Sequence, residues 1–188
     1  IYVPDITVRG GEPAQEITAG DDVPSAADGT SFGQGEIGGA SVVKTFTIAN
    51  TGGADLTLDG NPHVSLTGDH AGDFAVIQPG VALLPPGTDV SFQVTFSPSD
   101  FGARNATVTL ASNDPNGSPF TVALQGIGIA DTDEDGFEDG WEITHFGNTD
   151  DNTYATDTDA DGKTDAEEYA DGTDPTDAGS TPGLVAYY

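Results

Sequence analysis

The sequence predicts a mainly β protein: an antiparallel β-sandwich over residues 1–130, followed by a small region of acidic loops and short helices over residues 131–188. Three observations predict this. Residues 1–130 contain short runs rich in β-branched and aromatic residues in which every second residue is apolar, the pattern of strands with one buried face. Clusters such as Asn50-Thr51-Gly52-Gly53, Pro85-Pro86-Gly87 and Asn113-Asp114-Pro115-Asn116-Gly117 separate the runs, and such clusters end strands. The composition then changes: residues 131–188 hold 18 Asp/Glu and one Lys, against 14 acidic and three basic residues in 1–130.

Taken in order, strands are expected at Ile6–Arg9, Val42–Ala49, Leu56–Leu58, Val64–Thr67, Phe74–Gln78, Val90–Phe96, Ala106–Ala111 and Phe120–Gln125. The clearest alternation, in Lys44–Ile48 and Ser91–Phe96, directs Phe46, Ile48, Phe92, Val94 and Phe96 to one core. Seven or eight strands at this spacing suit an Ig-like sandwich of about 100–130 residues, with a barrel as the alternative. Gly128 to Ala130 reads as a short hinge before the acidic region.

The formal charge of −28, from 32 acidic and 4 basic residues, opposes binding to nucleic acid or anionic membranes. Membrane insertion is not expected either, because no apolar stretch approaches the roughly 20 residues that span a bilayer. Cysteine is absent, which excludes disulfides, thiolate metal sites and a Cys nucleophile, leaving packing and bound ions to stabilise the fold. The chain begins at Ile1 with no methionine anywhere, compatible with removal of a signal peptide or with a fragment. His occurs only at 63, 70 and 145, without an H-E-x-x-H pair, a Ser elbow or a phosphate-binding Gly loop, so no enzyme is expected. Paired Gly residues such as Gly10-Gly11 read as hairpin and bulge punctuation. Asp21, Asp22 and Asp28 read as turn residues in preference to a cation site.

The segments Pro4-Asp5-Ile6-Thr7-Val8, Gly20-Asp21, Asp28–Gly33, Thr45–Gly52, Asp73-Phe74, Val94–Pro98, Ala106-Thr107-Val108 and Gln125–Gly128 stand in an order that resembles the bacterial choice-of-anchor D module, an Ig-like domain of Hydin type. The resemblance covers residues 1–130. It implies a repeat-type module of large secreted or surface proteins and brings no catalytic residues with it.

Asp131-Thr132-Asp133-Glu134-Asp135-Gly136-Phe137-Glu138-Asp139-Gly140-Trp141-Glu142 satisfies D-x-D-x-D-G-x5-E in full. A hard cation with six to eight oxygen ligands needs a chain wrapped tightly round it, alternate side chains pointing inward. Asp131, Asp133 and Asp135 supply these, Gly136 the sharp turn, Phe137 a backbone carbonyl, Asp139 a direct or water-mediated contact, and Glu142 a bidentate closure. The same grammar returns 26 residues later with Asp157, Asp159, Asp161, Gly162, the carbonyl of Lys163, Asp165 and Glu168. Each loop gathers five carboxylates, and a like-charge pair at 4 Å costs about 1 kcal/mol in water and about 4 kcal/mol at a surface-like dielectric. Calcium, at two or more ions, is therefore the expected cofactor; magnesium seldom occupies all-protein cages.

The eighth loop positions are Glu138 and Thr164, not the aliphatic residues that bridge paired EF-hands, and no entering helix is evident before either loop. With Glu167-Glu168-Tyr169 and Gly172-Thr173-Asp174-Pro175, the tail resembles thrombospondin type 3 and dockerin-like calcium repeats over residues 131–180. Asp171, Asp174 and Asp177 read equally as ligands of a further ion or as a polar turn. Phe137, Trp141, Ile143 and Phe146 are expected to form a small core pinning the exiting helix, with His145 on the helix surface.

These observations lead to a bacterial extracellular or cell-surface structural protein stiffened by calcium, a candidate filament or surface-layer subunit. The alternative is an adhesin or a carbohydrate- or protein-binding module with a calcium-dependent tail. Its expected partners are copies of itself or other surface proteins, with a glycan as the alternative. Strands at Ile1–Val8 and Gly183–Tyr188 would be available to add to a neighbour's sheet edge.

Overall fold

The alternating segments of the sequence become the paired strands of the structure, a computed structural model that describes residues 2–133, 135–149 and 155–180. The chain forms two units, Ile1–Gly128 and Ile129–Tyr188. The strands are β1 (Ile6–Gly10), β2 (Gln15–Ile17), β3 (Ser31–Glu36), β4 (Val42–Asn50), β5 (Leu56–Thr57), β6 (Val64–Thr67), β7 (Phe74–Ile77), β8 (Leu83–Leu84), β9 (Asp89–Phe96), β10 (Gly102–Leu110) and β11 (Phe120–Ile129). Two helices follow, α1 (Asp139–His145) and α2 (Asp165–Asp171).

The strands of the first unit make a sandwich and not a barrel: one sheet has the order β2-β1-β4-β9-β7, the other β3-β11-β10-β6, and β5 and β8 form a short pair. The pairs β1–β2, β1–β4, β4–β9, β7–β9, β6–β10, β10–β11 and β5–β8 are antiparallel. In the first sheet β4 and β9 set Phe46 opposite Phe92, with rings stacked at 5.4 Å. All five core residues expected from the alternation are buried, and Ala106, Val108, Leu110, Phe120, Val122 and Leu124 of β10 and β11 meet them. Phe74 lies 4.9 Å from Phe96 and 5.4 Å from Phe32, adding aromatic contacts to area burial.

Three strands were not expected from the sequence. β2 is three residues long, β8 two, and β3 contains two glycines with only Phe32 and Gly35 buried. Alternation cannot reveal strands so short or so poor in side chains; pairing with a neighbour creates them. β10 and β11 also run further than expected, from Gly102↔Gly128 to Leu110↔Phe120. Gly128 and Ile129, expected in a short hinge, are the last two residues of β11. A Cβ on Gly126 would collide with the Phe96 ring, so the glycine there admits an aromatic side chain from the facing sheet.

At the open edges, Gln78 lies outside β7, and its amide takes the place of a strand. Gln78 Oε1 accepts from Val64 N at 2.9 Å and Nε2 donates to Val64 O at 2.8 Å, occupying backbone groups of β6. Asn50 does similar work inside the turn after β4: 1% exposed, it donates through Nδ2 to Ala54 O and Leu84 O at 2.7 and 2.9 Å, while Oδ1 accepts from Gly52 N at 3.0 Å. Asp73, buried, pairs with Arg104. Burial alone would raise its carboxyl, but hydrogen bonds from Ser99 and Arg104 outweigh that and hold it below 3.8.

Asp28 occupies a turn, as expected, whereas Asp21, also expected in a turn, forms an isolated parallel bridge to Val122. Val23 N donates to Asp21 Oδ1 at 3.0 Å, and both Thr30 N and Thr30 Oγ1 donate to Asp28 Oδ1. β1 begins at Ile6, with Tyr2–Asp5 outside any strand. The strands expected from Ile1 and at Gly183–Tyr188 involve residues outside those described.

Candidate metal centre

The second unit is built round its acidic loops. β11 ends at Ile129, so a strand and not a helix enters the first loop; residues 150–154, before the second, lie outside those described. Gly136 and Gly162, at the sixth position of each loop, adopt φ of 97° and 100°, the left-handed turn that glycine takes without steric cost. Backbone N–H groups tie each turn to its first aspartate: Gly136 N donates to Asp131 Oδ2 at 3.0 Å, and Gly162 N to Asp157 Oδ2 at 3.2 Å. Each loop is closed by a backbone bond from its ninth residue to the residue before the loop, Asp139 N to Ala130 O at 2.9 Å and Asp165 N to Thr156 O at 2.7 Å.

The fold brings together most of the residues expected to hold metal. Asp131, Asp133 and Asp135 each present a carboxylate oxygen within 4.8 Å of the others, and Asp157, Asp159 and Asp161 do the same. Oxygens on one calcium ion, each about 2.3–2.6 Å from it, are at most about 5 Å apart, so both triads have the right span. Phe137 and Lys163 occupy the seventh positions, their N–H groups donating to Asp135 Oδ1 at 2.9 Å and Asp161 Oδ1 at 2.8 Å.

Glu142 and Glu168 decide the chemistry. α1 and α2 carry them inward to 0% exposure, and all four of their carboxylate oxygens are buried without a hydrogen-bond partner, as are Asp135 Oδ2 and Asp159 Oδ2. A buried, unpaired carboxylate costs several kcal/mol. Burial, then the charges of Asp135, Asp133, Asp139 and Asp131, push the Glu142 carboxyl up to about 7. Burial raises Glu168 in the same direction, opposed by the nearby Thr173 hydroxyl, whose hydrogen bond goes to the Glu168 backbone oxygen, and reinforced by Asp159, Asp161 and Asp165. A divalent cation would satisfy these oxygens and reverse the repulsion, so the donor set fits calcium.

Asp139 and Asp165 sit differently from the other acids. Thr132 N and Oγ1 donate to the two Asp139 oxygens at 2.7 and 2.6 Å, and Thr158 N and Oγ1 to those of Asp165 at 3.0 and 2.8 Å. Each carboxylate thus clamps the start of its own loop, and Thr132 and Thr158 are site residues that the ligand pattern alone does not select. Their signal is present all the same: a threonine stands second in both loops.

The aromatic cluster departs from expectation at one residue. Phe137, fully buried, stacks on Trp141 at 4.9 Å, and Trp141 lies 5.4 Å from Phe146. Ile143 is 56% exposed, because two residues beyond Trp141 on α1 is nearly the opposite face. Tyr169 of α2 takes its place, 5.4 Å from Phe137 and 5.0 Å from Trp141, edge-on to both, and so joins the two loops. His145 is not a free surface residue: its ring packs 5.0 Å from Trp141 and its Nδ1 lies 3.1 Å from Asp174 Oδ1.

Of the three acids that read equally as ligands or as a polar turn, Asp171 ends α2 while Asp174 and Asp177 hold turns. Asp171 pairs with Lys163 Nζ at 2.7 Å, Asp174 Oδ1 accepts from Thr176 N and Oγ1 at 3.0 and 2.7 Å, and Asp177 Oδ1 accepts from Gly179 N at 3.0 Å. Thr164 caps α2 in a reciprocal box with Glu167, and Gly172 ends it at φ 68°.

The family model for the HYDIN/CFA65/VesB-like Ig-like domain matches residues 27–127. Solved structures similar to this chain include the Vibrio cholerae VesB protease, at 21% identity over 52% of this chain and 29% of that one, with a TM-score of 0.40. The secreted serine protease VesC from Vibrio cholerae matches at 18% identity over 53% of this chain and 21% of that one, TM-score 0.42. A protein of unknown function from Porphyromonas gingivalis W83 matches at 13% identity over 66% of each chain, TM-score 0.43. The chain therefore spans less than a third of either protease it resembles. No curated protein matches it. Among the described residues, no helix is long and apolar enough to cross a membrane.

Proposed function

This chain belongs to the HYDIN/CFA65/VesB-like Ig-like domain family, and from that premise we propose that it is a non-catalytic structural module of a secreted or surface protein, with an acidic C-terminal unit folded round two calcium ions. The observation that carries the proposal is the pair of fully buried glutamates, Glu142 and Glu168, with every carboxylate oxygen unpartnered. In the first loop calcium would be held by Asp131, Asp133, Asp135, the Phe137 carbonyl and Glu142. In the second it would be held by Asp157, Asp159, Asp161, the Lys163 carbonyl and Glu168. Asp139 and Asp165 act as clamps with lone pairs left for a bridging water.

Extracellular calcium modules bind at about 0.1–1 mM, which suits a permanent staple outside the cell better than a sensor inside it. The Ig-like unit then supplies bulk and presents strand edges to other copies or to other surface proteins. Calorimetric unfolding with calcium and with chelator tests the assignment. Free calcium at 100 times its dissociation constant adds about 2.7 kcal/mol per site; identical transitions under the two conditions would remove calcium from the proposal. Sedimentation with and without calcium tests self-association in the same samples.

A further inference from the structure

A trough of about 370 Å³, lined by both polar and apolar groups, crosses the outer face of the four-stranded sheet, within the size range of small-molecule sites. Its floor is Asn105 and Thr107 on β10, set opposite Gln125 and Ala123 on β11. All four belong to the alternate set of positions that does not face the core. One wall is the segment carrying Asp22 and Pro24, held to β11 by Ala123 N donating to Asp21 O at 2.9 Å and Gly20 N donating to Thr121 O at 2.7 Å. The other wall is Gly68-Asp69-His70.

The walls and floor are fixed by hydrogen bonds that leave defined groups over. His70 is latched to one residue of the floor: its backbone N donates to Asn105 O at 3.2 Å, and its Nδ1 accepts from Asn105 N at 3.0 Å. With Nδ1 used as an acceptor, Nε2 of the neutral ring carries the proton and is a donor. Gln125 Nε2 donates to Asn105 Oδ1 at 3.1 Å, which leaves Gln125 Oε1 as an acceptor and Asn105 Nδ2 as a donor. Asp22 and Asp69, both exposed, contribute to the two walls. Gly68 has φ of +109°, a conformation in which any side chain would be strained, and a Cβ there would lie 3.3 Å from Ala106 Cα.

We propose that this trough is a binding site for the hydroxyl groups of a neutral or amino sugar. Donors and acceptors both line it, which suits a ligand whose every hydroxyl both gives and takes a hydrogen bond. A bare cation would meet the Asn105 and His70 donors, and an anion would meet two carboxylates on a chain of formal charge −28. Sugars carrying carboxylate or sulfate are therefore excluded by the same groups that accept from a neutral one. The site uses no residue of the acidic loops, so it is independent of the calcium assignment.

The test is titration of the full chain to millimolar sugar, followed by saturation-transfer NMR, with cellotriose, mannotriose, chitotriose, chitosan trimer and trigalacturonic acid as probes. At least one neutral or amino trimer should bind, equally well in calcium and in chelator, and trigalacturonic acid should not. Gln125→Ala and Asp22→Ala, both surface changes, should each weaken that binding at least tenfold, whereas Glu142→Gln should leave it unchanged. Failure of every neutral and amino trimer to bind, preference for the acidic one, or affinity unaffected by either trough variant would each overturn the proposal. Binding abolished by chelator would transfer it to the acidic unit instead.

Discussion

The two units of this chain solve the same problem with opposite materials. The first buries 20 apolar residues in one cluster, and each large side chain removed from water contributes about 1.5–3 kcal/mol. Among the described residues of the second, Phe137 is the one fully buried large apolar side chain, beside buried Asp139, Glu142, Asp165 and Glu168. Apolar burial suffices for the sandwich, while the acidic unit reverses the usual sign of burial: its most enclosed groups are those most costly to enclose. What the contrast teaches is that the sandwich draws its stability from apolar burial, whereas burial in the acidic unit encloses carboxylates whose repulsion a counter-charge would relieve.

The largest expected effect breaks the contrast from the acidic side. Glu142→Ala deletes two of the buried acceptors of the first loop, and calcium titration should then report one ion where two are expected of the native chain, with the sandwich transition unmoved. Glu142→Gln sharpens the same point: it should weaken calcium binding yet stabilise the metal-free unit by removing a buried charge. The linkage sign agrees. The Glu142 carboxyl is raised from 4.5 to about 7, so the metal-free folded unit binds more protons than the unfolded chain across that interval. Its stability should accordingly fall as pH rises from about 4.5 to about 7, and saturating calcium should flatten the profile.

From the other side, Phe96→Ala removes a fully buried ring that touches Phe32 and Phe74. It should destabilise the sandwich by about 3–5 kcal/mol, with calcium stoichiometry unchanged. A smaller effect is expected at the sandwich's buried ion pair, where Arg104→Met leaves Asp73 without its partner at a cost of about 1.5–3 kcal/mol. Because the Asp73 carboxyl is depressed, that contribution is present above pH 3.8 and is lost as pH falls through its folded value. Native and variant denaturation midpoints should therefore converge in acid.

The smallest expected effect lies in the second loop. Ala160 holds φ of 62°, a left-handed conformation that costs a non-glycine residue roughly 1–2 kcal/mol. Ala160→Gly should stabilise the calcium-loaded unit by about 0.5–1 kcal/mol, part of the gain being returned to unfolded-chain entropy. Thermal scans in excess calcium would show no change if the loop carries no such strain.

Alternation along single strands was enough to place β4 and β9 and to name the residues of their buried face. Spacing was enough to assemble both acidic triads and to put a glutamate at the end of each loop. Those features are legible because each depends on the chain's local period: two residues per strand repeat, or a turn enforced by one glycine. Partnership was not legible. β3 is a strand because β11 lies beside it, Gln78 ends β7 because its amide closes the edge at Val64, and Tyr169 displaces Ile143 from the aromatic cluster because α2 brings it within 5.0 Å of Trp141. Asp139 and Asp165 became clamps because Thr132 and Thr158 reach them across seven residues. The sequence by itself determined which groups carry charge and which apolar side chains recur in step; only the tertiary structure decided which of them lose their water, and the free energy of a carboxylate depends on that more than on its spacing.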